Sequence, residues 1–172
     1  MKNKFAFVAL LVALTASTVS AQTTDTQTYT ITVPVSVTLT APAATVTLTH
    51  DTTDTNQAFD PQSWAVSSNA PDGVTVTFAT TTGFQNTADA TIEADAQLDL
   101  AVTGDANGVW TATTATAVTN IGAGNGAATV VANSTGIGGA SLDLTVSFVT
   151  GTFSSLAAGD YSTVVTGTVT GI

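Results

Sequence analysis

The chain has 172 residues, twelve of them Asp or Glu against two Lys, with one His, no Cys and a formal net charge of −10 at pH 7. This excess of acid excludes nucleic acid and anionic membrane surfaces as natural partners, because nothing offsets phosphate repulsion. The lack of cysteine excludes disulfides and a lipid-modified N-terminal Cys, so an exported fold must be held by its core.

Residues 1–21 read as a secretory signal peptide. MKNK is a positive n-region, FAFVALLVALTA an apolar stretch too short for a confident membrane span, and TVSA places Val19 and Ala21 at the minus-three and minus-one positions. The competing reading is an uncleaved membrane anchor. Cleavage predicts a mature chain starting at Gln22, exported to the cell surface, a fimbrium or the extracellular space, with the periplasm also open. It removes Lys2 and Lys4, the only Lys or Arg residues, and leaves His50 as the one side chain able to carry a positive charge. The mature acids then repel one another unless spacing, bound cations or salt relieves them. Without Lys, no Lys–Asn isopeptide crosslink forms. No later stretch is long and apolar enough to span a membrane as a helix.

A polar leader, 22–27, precedes TYTITVPVSVTLT. In an extended chain Tyr29, Ile31, Val33, Val35, Val37 and Leu39 share one face, with Thr, Ser and Pro34 on the other. APAA breaks the strand, and TVTLTH follows with Val46, Leu48 and His50 aligned. An acidic loop, DTTDTNQAFDPQS, leads to a short strand at WAVSS. NAPDG is a turn in which Gly73 takes the left-handed conformation. GVTVTFAT directs Val74, Val76 and Phe78 inward. The stretch after it holds a loop or a short strand near Ala90 to Ala94. Further strands are expected at QLDLAVTG, WTATTATAV, AATVVANS and SLDLTVSFVTG, then YSTVVTGTVTGI at the end. The pattern predicts an all-β domain over 28–172, a single sandwich of about eight or nine strands. A solenoid or small barrel is the alternative. TVT and VTG recur at no fixed interval, so they reflect strand composition rather than a repeat.

Little in the sequence suggests chemistry. His50 precedes Asp51, but there is no nucleophile elbow, zincin motif or phosphate loop, and Asp95 with Asp99 is one of many nominal acid pairs. No enzyme and no required cofactor are expected. Asp51, Asp54, Asn56 and Asp60 supply the hard oxygens of a candidate calcium loop, although the spacing is not that of an EF-hand. Asp105 and Asn107 lie in a second polar turn. Trp64 and Trp110 are candidate stacking platforms for surface glycans, or core residues of the sandwich.

The export signal, the Thr-rich alternation and the closing AGDYSTVVTGTVTG together resemble secreted bacterial immunoglobulin-like surface proteins, including pilin-like filament subunits. That resemblance implies a structural or adhesive role and copies of the chain as partners. In such families an N-terminal strand can be given to a neighbour by β-strand addition. The face from Tyr29 to Leu39 is then the donor. The other reading makes it the first strand of its own sandwich.

Overall fold

The structure is a computed structural model that describes residues 23–42 and 44–172; the predicted signal peptide lies outside the described residues. Residues 34–172 form one compact unit. Its strands are β1 (Val37–Thr40), β2 (Gln57–Ala58), β3 (Gln62–Ser68), β4 (Val74–Thr80), β5 (Phe84–Asn86), β6 (Glu93–Thr103), β7 (Trp110–Thr114), β8 (Thr116–Val118), β9 (Ala128–Ser134), β10 (Gly138–Val149), β11 (Tyr161–Ser162) and β12 (Thr166–Gly171). Two 3-10 turns, Ile121–Ala123 and Phe153–Ser155, are the helical pieces among the described residues.

All pairings are antiparallel, and they build two sheets packed as a sandwich. The larger runs β1-β3-β10-β6-β5-β11, with β2 also on β10 and β8 also on β6; the smaller runs β12-β4-β9-β7. The strand count rises from the expected eight or nine to twelve because two predicted strands each divide between the sheets and the short β2 and β5 add to them, while TVTLTH forms no strand. WTATTATAV breaks at Ala115: β7 pairs with β9, and β8 pairs with β6 after a register shift between Ala112 and Thr114. The terminal stretch divides in the same way, β11 joining β5 and β12 joining β4. A bulge or bend is how one chain turns a corner between packed sheets.

Alternation explains the core. Val74, Val76 and Phe78 of β4 lie beside Val130 and Ala132 of neighbouring β9 and pack with Leu98, Leu100, Leu142 and Leu144 of the larger sheet, in one buried cluster. Gly167 of β12 marks a close approach. A Cβ there would stand 2.9 Å from Trp64, 3.0 Å from Phe78 and 3.1 Å from Leu39. Gly73 has φ of 87° and closes the predicted turn by donating to the Ala70 carbonyl.

Carboxylates on the larger sheet find hydroxyl and amide donors in place of cations. Asp95 accepts from Thr119 Oγ1 (2.7 Å) and Ile121 N (2.9 Å). Asp99 accepts from Thr116 Oγ1 (2.7 Å) and Gln97 Nε2 (2.8 Å), and Asp143 from Ser63 and Thr103. A carboxylate only accepts, and Thr beside it on the pleat supplies the donor. The strands of the smaller sheet contain no Asp or Glu.

β6 and β10, eleven and twelve residues long, reach beyond the main core. Their far ends, Ala94, Ala96 and Phe148, join Phe84 in a second cluster with Phe59, Leu156 and Tyr161 packed against it.

Candidate functional site

Two alternating stretches predicted as strands lie largely outside the sheets. Of the opening stretch, only Val37–Thr40 pairs, running against Ala65–Ser68 of β3. Val37 and Leu39 are half-buried against the core. Tyr29, Ile31, Val33 and Val35 belong to no strand and are 84%, 89%, 72% and 68% exposed. The expected long strand therefore shortens to its last four residues. Pro34 has no N–H to give a ladder, and Asn69 takes over the neighbouring backbone. Its amide donates to the Pro34 carbonyl (3.0 Å), while its Oδ1 accepts from Ser36 N.

TVTLTH is the second. Residues 44–49 lie outside the sheets and make no backbone–backbone hydrogen bond among the described residues. Val46 and Leu48 are 39% and 47% exposed. They stand over a groove of about 740 Å³ with Phe59, Phe84, Phe148 and Tyr161. A smaller hollow of about 360 Å³ shares Val46, Phe59, Phe84 and Tyr161 with it and continues to Trp64 and Val165. Aromatic contacts organise the floor: Phe84 sits 5.2 Å from Phe148 and 6.0 Å from Phe59, and Tyr161 meets Phe148 edge-on at 5.4 Å.

His50 anchors one wall of that groove. Its Nδ1 accepts from Thr52 N (3.0 Å), so the ring proton is on Nε2 and is donated to Thr150 Oγ1 (3.0 Å). The Thr150 hydroxyl donates in turn to the Thr55 carbonyl (2.7 Å). The ring stacks on Phe153 and meets Phe148 edge-on. Asp51 Oδ1 is 3.8 Å from Nδ1, giving a nominal Thr150–His50–Asp51 series. In this tautomer the lone pair of Nδ1 is occupied by Thr52 N and Nε2 donates to the Thr150 hydroxyl.

Two of the four candidate calcium ligands, Asp54 and Asn56, serve this same anchor. Asp54 Oδ1 accepts from Phe153 N (2.8 Å) and Asn56 Oδ1 from Thr150 N (3.2 Å). Asp51 accepts from the Thr53 hydroxyl (2.7 Å), the Thr53 amide (3.0 Å) and Gln57 Nε2 (2.8 Å). The Thr53 hydroxyl, then its amide, hold the Asp51 carboxyl below the ordinary carboxylate range. The Asp60 carbonyl accepts from Gln62. Among the described residues there is no group of three or more His, Cys, Asp or Glu placed to hold a metal.

Trp110 opens β7 as a buried core residue, and Trp64, half-buried in β3, packs 5.0 Å from Phe78. The aromatic floor was not foreseen as a site. Its four rings come from positions 59, 84, 148 and 161, and no local spacing links them. Among the described residues no helix is long and apolar enough to cross a membrane. Comparison with family models, curated proteins and solved structures gives no match.

Proposed function

We propose that this protein is a secreted structural or adhesive subunit of the cell surface, an immunoglobulin-like sandwich that joins copies of itself into filaments by β-strand addition. The observation that carries this reading is the stretch from Tyr29 to Val35: four apolar side chains in period two, highly exposed, with no sheet partner. Large apolar side chains presented to water in register are costly to keep, at about 25 cal/mol per Å² of apolar surface. A neighbour's sheet would recover that cost and satisfy the backbone as well. A glycan- or cation-binding module has weaker support. Trp110 is buried, Trp64 is packed on Phe78, and Asp54 and Asn56 already accept backbone donors.

Electron microscopy and sedimentation of the exported, mature chain test the proposal. Fibres or a concentration-dependent ladder of oligomers are expected, and Ile31→Asp should abolish both. A wild-type chain that stays monomeric at every concentration overturns the reading.

A further inference from the structure

The geometry points to the aromatic groove beneath residues 44–50 as the slot that receives residues 28–35 of a second copy. This rests on the strand-addition reading and names the acceptor that reading leaves open. The groove has the make-up of a place where one strand is missing. Its floor is apolar and aromatic: Phe59, Phe84, Phe148 and Tyr161. One wall, residues 44–49, makes no backbone–backbone hydrogen bond among the described residues. Across the adjoining smaller hollow stand residues 163–165, which precede β12 and belong to no strand. A strand laid between them would find backbone donors and acceptors on both sides and pockets for alternate side chains below.

Length, charge and position agree. Tyr29 to Val35 covers six residue steps, as does Ala44 to His50, roughly 20 Å each when extended. From Thr26 to Thr49 there is no charged residue, so donor and wall are both uncharged, and Asp160 is the one carboxylate residue lining the groove. Two polyanions meet at least cost through such uncharged stretches. The donor stretch joins the domain at Pro34, tied to Asn69 just beyond Ser68. Ser68 pairs with Gly138 at the start of β10, whereas the groove contains Phe148 at the other end of that strand, roughly 33 Å away. Donor root and acceptor therefore occupy opposite ends of the sandwich. Such a contact is heterologous and head-to-tail, and it propagates as a filament unless the rotation closes a ring.

Two variants of the full mature chain decide the matter by sedimentation. Ile31→Asp spoils the donor and leaves the groove intact; Val46→Asp spoils the groove and leaves the donor intact, with Leu48→Asp as a second groove variant. Each alone should be monomeric. A mixture of Ile31→Asp with Val46→Asp should give a 1:1 dimer that grows no further, since one good donor and one good groove remain. That dimer also shows that both variants are folded. If Val46→Asp and Leu48→Asp polymerise like the wild type while Ile31→Asp does not, strand addition stands and this groove is the wrong acceptor. If Ile31→Asp polymerises normally, or the wild type never does, the strand-addition reading falls and this inference falls with it. Monomers alone in the mixture, from variants with wild-type circular dichroism, also overturn the pairing.

Discussion

VTVTF at residues 74–78 and YTITV at residues 29–33 have the same pattern, an apolar residue at every second position with Thr between. The first lies in β4, between β12 and β9, with Val74, Val76 and Phe78 fully buried. The second has no partner, and its apolar side chains face water. The contrast shows that period two specifies a face and leaves the partner undetermined. Burial in β4 follows from two neighbouring strands and a facing sheet, all supplied by distant parts of the chain.

Charge substitutions should separate the two stretches most strongly. Val76→Asp places an unpaired carboxylate in the core of a chain that has no Lys or Arg beyond residue 4, at a cost of several kcal/mol. Urea or thermal melts should show an unfolded or strongly destabilised protein. Val35→Asp, on an exposed residue, should move the stability of the isolated domain by no more than about 0.5 kcal/mol. Large losses at both positions would mean that Val35 is buried within its own domain.

Steric crowding is the next largest effect. Gly167→Val in β12 pushes a side chain toward Trp64, Phe78 and Leu39 and should cost about 1–3 kcal/mol by chemical denaturation. Removing residues 22–35 should cost less than that in the monomer, because β1 retains its ladder with β3. Collapse of the truncated domain would show that the stretch supports its own fold. Salt should then raise the melting temperature of full-length and truncated chains by a similar few degrees, since eleven of the twelve acids lie after residue 35. Equal melting temperatures at low and high sodium chloride would contradict this.

The smallest effect concerns two turns outside both stretches. Hydrogen bonds from the Thr53 hydroxyl and amide lower the Asp51 pKa, and those from Thr91 do the same for Asp89. A carboxyl depressed by folding adds stability above its unfolded pKa, and that stability is lost as pH falls through the folded value. Both turns should therefore loosen only in acid. NMR titration should place both carboxyls below ordinary aspartate; values at or above it would contradict the bonding.

Much of the fold was legible from local pattern. Strands at GVTVTFAT, AATVVANS and SLDLTVSFVTG appear where alternation and turn residues put them, because each lies within one sheet. WTATTATAV and YSTVVTGTVTGI read as single strands but divide between sheets, since uniform Thr and Val alternation gives no sign of a corner. The Pro34 break was partly visible, as a residue tolerated only at an edge or bulge. The role of His50 as an anchor depended on Thr150, a hundred positions away, and no local signal pointed to it.

The pairing of β1 with β3 also has a mechanical consequence. Thr38 opposes Ser67 and Thr40 opposes Ala65 in an edge ladder that begins one residue after Ser36. Tension entering the domain at Pro34 along the strand axis loads this ladder in shear, so its hydrogen bonds share the force instead of failing one at a time. The Asn69 side chain, bonded to Pro34 and Ser36, takes the first part of the load. A pull across the strands at the same point would instead peel β1 from its edge, so the domain should resist stretching along the strands better than prying from the side.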